Sequence, residues 1–167
     1  GLVTPNLAKY LNTLKKFKSL NAQVNASNIG YQSLNKYINI PLLIINENEL
    51  RHELRDKKTR IELLSINLIK KFKIKNLVVT RGSSGSFMVD EKLRFNYCPA
   101  FASKVVDKVG SGDALFAIIS LCKKINLNND LSLFFGSIAA ASSVENIGNS
   151  FFTEKKSFLR QIEYSLK

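Results

Sequence analysis

The 167 residues are enough for one domain with a sizeable buried core. Hydrophobic residues at 45% and charged residues at 23% exclude wholesale disorder, and the longest apolar runs fall far short of the roughly 20 residues a membrane span needs. The net charge of +12 raises nucleic-acid binding, but the cations are mostly Lys scattered in pairs, and 6 of the 25 are Arg, the better reader of bases. Neither a membrane nor a nucleic acid is therefore the expected partner.

The chain opens on Gly1 with no basic segment followed by an apolar core, which predicts a cytoplasmic protein present as a mature product or a fragment. Thr4-Pro5 starts a first helix, whose apolar residues Leu7, Tyr10, Leu11, Leu14 and Phe17 recur at helical spacing to about residue 18. Leu20–Val24 reads as a short strand, residues 25–30 as a polar turn and residues 31–37 as a short helix. Leu42–Ile45 is a continuous apolar run suited to a strand buried on both faces. Residues 47–55 follow as a charged helix carrying His52, the one histidine, expected to be exposed. Thr59 is placed to cap a longer helix with Ile61, Leu64, Leu68, Ile69 and Phe72 on its apolar side. Leu77–Thr80 is a second buried strand, and Ser86–Val89 and Arg94–Cys98 pair as a hairpin.

After residue 113 an apolar helix runs to about Cys122. Asn129 or Asp130 caps another, rich in small residues, and a last helix starts near Thr153. Cys98 and Cys122 lack any CxxC or Cys/His spacing and are expected to be reduced and structural. Phe134-Phe135 and Phe151-Phe152 read as core. Strands alternating with helices predict an α/β domain with a mostly parallel sheet covered on both faces.

Three segments carry chemistry, each at the exit of a strand or the entry of a helix. In Gly110-Ser111-Gly112-Asp113, glycines flanking a small residue let backbone N–H groups converge on an anion at a helix N-terminus, and Asp113 can accept a proton beside it. A tight turn with a first-turn acid explains the same residues equally well. Thr80-Arg81-Gly82-Ser83-Ser84-Gly85 leaves a buried strand, where ligands of open α/β sheets bind, but an ordinary Gly/Ser loop has the same composition. It is not a Walker motif. Asn46-Glu47-Asn48-Glu49 offers hard oxygens suited to Mg²⁺, and it also spells a capping box.

Taken in order, these segments resemble a known family. VDKVGSGDALF (residues 106–116) resembles the PfkB/ribokinase signature D-T-x-G-A-G-D-x-F. VVTRGSSGSFMVD (78–90) is similar to that family's nucleotide-binding strand and loop, and INENEL (45–50) to its N-x-x-E motif. The resemblance implies a ribokinase-like three-layer αβα fold and ATP-dependent phosphoryl transfer to a hydroxyl of a sugar or sugar phosphate. It implies Asp113 as base and Gly110, Ser111 and Gly112 as anion hole. It also implies Asn46 and Glu49 at Mg²⁺, Thr80, Gly82, Ser83 and Gly85 around the nucleotide, and Ser137, Ala140 and Ser143 near the adenine. Asp107 matches a position linked to a monovalent cation, although Lys108 stands where Thr is usual. Residues 20–37 with 45–56 further resemble PfkB-type kinases of heptose-like sugars, often joined to a nucleotidyltransferase.

Family kinases are about twice as long as this chain. The resemblance therefore implies a single kinase domain truncated at its N-terminus, 1–167 being the ATP-side part, with the sugar-binding and lid half absent and little activity alone. A homodimer is compatible with it. Two other readings stand beside it: a vitamin or nucleoside kinase of the same fold, and a basic non-catalytic module binding RNA or another anion.

Overall fold

The computed structural model describes residues 3–22, 34–102, 109–144 and 154–166. Thr4 caps α1 (Pro5–Thr13), its side chain accepting from Leu7 N at 3.2 Å, and Pro5 occupies the first turn where its missing N–H costs nothing. The helix ends earlier than the apolar spacing predicts. Leu14 turns extended, and the Lys18 ammonium bonds the Leu11 and Leu14 carbonyls, so the last carbonyls are satisfied without another turn.

Strand β1 (Ser19–Asn21) pairs in parallel with β2 (Leu42–Asn46), and β2 in parallel with β3 (Asn76–Thr80). Strands β4 (Ser86–Asp90) and β5 (Phe95–Cys98) complete a five-stranded sheet in the order β1-β2-β3-β4-β5. The connections 81–85 and 91–94 are too short for a crossover, so these last strands run antiparallel and the sheet is mixed. Of the expected polar turn and helix at 25–37, only the 3₁₀ turn Leu34–Lys36 falls within the described residues.

Asn46 opens α2 (Glu47–Leu54), and α3 (Ile61–Phe72) follows. Thr59 does not cap α3. Its hydroxyl donates to Asp56 instead, and Arg60 holds the N-cap position with no side-chain bond. The stripe Ile61, Leu64, Leu68, Ile69 and Phe72 is buried as the spacing predicts, each residue worth about 1.5–3 kcal/mol when fully removed from water.

Downstream lie α4 (Ser111–Lys124), α5 (Asn129–Val144) and α6 (Lys155–Ser165). Asn128, not Asn129 or Asp130, caps α5: its side chain accepts from Leu131 N and its carbonyl from Ser132 N. Asn129 and Asp130 are drawn elsewhere, Asn129 accepting from Lys123 and Asp130 from Asn96. Thr153, 151–152 and the signature residues 103–108, Asp107 and Lys108 among them, lie outside the described residues.

The chain divides into two compact units, Gly1–Thr80 with Met88–Phe95, and Arg81–Phe87 with Asn96–Lys167. In the first, Leu42–Ile45 of β2 and Leu77–Val79 of β3 are buried, with α2 packed against both strands and α3 against β3. In the second, Leu115 and Ile119 of α4 meet α5, where Gly136 lets the two helices close: a Cβ there would lie 2.8 Å from Ile119 Cδ1. Phe134 packs edge-on to Phe101 at 5.5 Å, and both Phe134 and Phe135 are half-buried, not in the fully buried core that the sequence suggests. Cys98 and Cys122 are free and buried, and burial pushes both thiols up. Among the described residues no helix is long and apolar enough to cross a membrane.

Candidate functional site

In the first unit, the register of the parallel strands sets Asn46, the last residue of β2, directly opposite Thr80, the last residue of β3. Two of the expected site segments thus begin at one edge of the sheet. Asn46 leaves the strand with extended geometry (φ −84°, ψ 162°) and caps α2. Its side-chain oxygen accepts from Glu49 N at 2.9 Å, and the Glu49 carboxylate accepts from Asn46 N at 2.9 Å. The capping box is therefore formed. It fixes the buried Glu49 carboxylate at the strand exit and points hard oxygen chemistry there. Among the described residues no three His, Cys, Asp or Glu side chains cluster as a metal cage. The Asn46 and Glu49 oxygens suit an ion that keeps most of its waters, as Mg²⁺ does.

In the second unit, Arg81–Gly85 folds tightly on itself, with Arg81 N donating to Gly85 O at 2.8 Å and Gly85 N to Gly82 O at 3.0 Å. The two glycines have different reasons. Gly82 (φ +56°) is exposed with open space where a Cβ would stand, so only its backbone conformation asks for glycine. Gly85 (φ +78°) is buried, and a Cβ would run into the Cys98 carbonyl and come within 2.8 Å of Pro99 C. Ser83 is exposed on the turn between them.

Gly110 (φ +84°) enters α4 left-handed and makes no side-chain cap. Ser111, Gly112 and Asp113 are the first three helical residues, and the first intrahelical bond runs from Ala114 N to Gly110 O. The Gly112 and Asp113 amides precede that bond, and a Cβ at Gly112 would meet nothing within 4 Å. An anion can approach this backbone closely, at the positive end of the helix dipole. The Asp113 side chain is exposed, and among the described residues its carboxylate carries no hydrogen bond or ion pair.

The three expected residues of α5 divide. Ala140 and Ser143 are half-buried, whereas Ser137 is buried, 3.4 Å from the Ser86 hydroxyl and bonded to Cys98. Sequence reasoning did not foresee this small polar cluster. The one available signal was Ser86 opening a strand whose every residue proves buried.

A family model described as pfkB family carbohydrate kinase matches residues 2–156. The chain is 27% identical over 117 residues to the bifunctional protein HldE of Aeromonas hydrophila, covering 69% of this chain and 25% of that protein. Its fold is similar to that of Arabidopsis thaliana ribokinase complexed with ribose and ATP (TM-score 0.80, 22% identity, 95% of this chain and 51% of that one). It is also similar to phosphofructokinase-2 from Escherichia coli in complex with potassium (TM-score 0.81, 18% identity, 98% and 52%). The chain thus spans a quarter of the curated relative and about half of each solved structure. The fold is ribokinase-like αβα, and the chain belongs to the pfkB family of carbohydrate kinases.

Proposed function

We propose that the chain is the nucleotide-binding part of a kinase that transfers the γ-phosphoryl group of ATP to a hydroxyl of a sugar or sugar phosphate. The observation that carries this reading is Asp113: an exposed carboxylate, without a partner among the described residues, directly after Gly112, whose backbone is open to an anion. Asp113 takes the proton from the attacking hydroxyl as the oxygen–phosphorus bond forms and the bond to the ADP oxygen breaks. The Gly110–Gly112 backbone holds the transferring group by its N–H dipoles, which are already oriented before the reaction and need no rearrangement.

Asn46 and Glu49 are the residues that would hold Mg²⁺ through its waters; when bound, the ion supplies positive charge to the phosphate oxygens. Thr80, Gly82 and Ser83 border the nucleotide, Ala140 and Ser143 the adenine, with Ser137 supporting from within. Gly85 acts by keeping the loop closed. The similarity to HldE, with the heptose-kinase resemblance of residues 20–37, favours a sugar-phosphate acceptor and a nucleotidyltransferase joined to the kinase in the full protein.

Calorimetric titration of ATP, with and without Mg²⁺, into the chain and its Gly112→Glu variant tests the reading. Metal-enhanced binding that the variant abolishes supports it. Binding that survives unchanged in a folded Gly112→Glu protein would place the nucleotide elsewhere and end the assignment of the anion hole.

A further inference from the structure

Nothing in the kinase reading uses the corner where α2 turns into α3, and this corner is strongly cationic. An open concavity of about 850 Å³ lies there, walled on one side by Asn48, Arg51, His52 and Arg55 and on the other by residues 56–59. The spacing of the helical wall puts its side chains on one face of α2. The lining holds four basic side chains and a single acidic one, a net +3 with His52 neutral.

How those charges are partnered decides what the concavity can do. Arg51 is spent: its guanidinium bonds Glu47 at 2.9 and 3.1 Å and the Thr59 carbonyl at 2.9 Å, which ties the helix to the turn. Asp56 is spent as well. One carboxylate oxygen accepts from Lys58 N and Thr59 N, both at 2.9 Å, and the other from the Thr59 hydroxyl at 2.7 Å. These bonds fix the backbone that carries Lys57 and Lys58. Arg55 N and Asp56 N close the Arg51 and His52 carbonyls at the end of α2, so these two do not compete for the cations.

Arg55, Lys57 and Lys58 remain exposed, and no side-chain hydrogen bond or ion pair engages them among the described residues. Three uncompensated cations held on a braced turn match a multiply charged anion, not a single carboxylate. The volume lies in the range of small-molecule sites, and no Phe, Tyr or Trp ring lines it as a platform for bases, His52 being the one ring there, which favours a compact ligand over a nucleic-acid strand.

We propose that the α2–α3 corner is a binding site for an oligophosphate group, carried by a small molecule and separate from the Gly110–Asp113 turn. The site does not depend on the chain being a kinase. Tripolyphosphate is the probe, titrated calorimetrically at low salt into the Gly112→Glu chain so that the α4 anion hole does not contribute. Binding should persist there, weaken steeply with added salt, and fall at least tenfold on adding Lys57→Gln and Lys58→Gln, with the melting temperature unchanged. Absence of binding, or binding indifferent to the two lysines, would overturn the proposal. If Gly112→Glu does not fold, hydrogen exchange of the unmodified chain decides: protection of residues 55–59 by tripolyphosphate supports the site, and protection confined to residues 111–114 rejects it. Comparing ATP with tripolyphosphate in the same background separates a nucleotide tail from free polyphosphate as the source. Single-stranded RNA that displaces tripolyphosphate and tightens with length would overturn the proposal in favour of a nucleic-acid surface.

Discussion

Glu49 and Asp113 occupy the same position, the third residue of a helix, yet the local sequence gives them opposite fates. Glu49 sits above an Asn cap with extended geometry, and its side chain reaches back to that residue's amide. Asp113 sits above Gly110, which is left-handed and offers no cap, so its shorter carboxylate stays in solvent. One acid is therefore structural first, the other available for chemistry. Glu49→Ala should lower stability by ~1 kcal/mol through loss of the cap, measured by denaturant unfolding, whereas Asp113→Ala should leave the unfolding midpoint nearly unchanged. In the full kinase Asp113→Asn should cut turnover by roughly 10²–10⁴-fold with little change in ATP affinity. Equal losses of turnover and affinity would instead make Asp113 part of the binding wall. Glycines divide the same way. Gly85→Ala forces a Cβ into the Cys98 carbonyl and must move backbone, while Gly112→Ala meets open space and should melt like the parent but bind nucleotide less well.

Elements were legible where their signals are local. Asn46 and the apolar run before it marked both the end of β2 and the start of α2, and Gly110–Gly112 marked the start of α4, because caps and positive φ are properties of a few adjacent residues. What the sequence hid was set by distant partners. Asn129 and Asp130 look like caps, but Lys123 and Asn96 claim them and leave the role to Asn128. The inward turn of Ser137 toward Ser86 and Cys98 likewise depends on a strand some fifty residues away. Nor does spacing reveal a braced cationic corner, since Lys57-Lys58 reads as any solvated pair until Asp56 is seen fixing the turn. The β4–β5 turn gives an element-scale prediction. Asp90 accepts from Lys92 N, Arg94 N and the Arg94 guanidinium, the last at 2.6–2.7 Å. Burial alone would raise its carboxyl, but the Arg94 bonds and charge and the Lys92 amide outweigh that and hold it below the usual range. A carboxyl depressed in the folded state contributes fully above the unfolded value near ~3.9, and its contribution is lost as pH falls through the lower folded value. Denaturation midpoints should therefore drop below about pH 4, and Asp90→Asn should flatten that acid arm while lowering the plateau by about 1–2 kcal/mol. An unchanged acid arm would mean that other carboxylates set it.

For the molecule as a whole, the phosphate-binding turns of the kinase reading and the α2–α3 anion site fall in different units, although Asn46, Glu49 and Thr80 share the first unit with that corner. The Arg81–Gly85 turn and the Gly110–Asp113 helix start both belong to the second unit, and the α2–α3 corner belongs to the first. A ligand that binds the native state stabilises by about 2.7 kcal/mol at a hundredfold excess over its Kd, and hydrogen exchange reports where that stabilisation falls. MgATP should slow exchange at 82–85 and at the first turn of α4, because the amides there are the proposed phosphate contacts, and also at Asn46–Glu49 when Mg²⁺ is present. Residues 55–59 should respond to tripolyphosphate in the Gly112→Glu chain, where the α4 turn is closed to it. Protection by MgATP confined to the α2–α3 corner would mean that nucleotide affinity in this basic chain comes from its clustered charge, and the phosphoryl-transfer roles of Gly112 and Asp113 would then have to be abandoned.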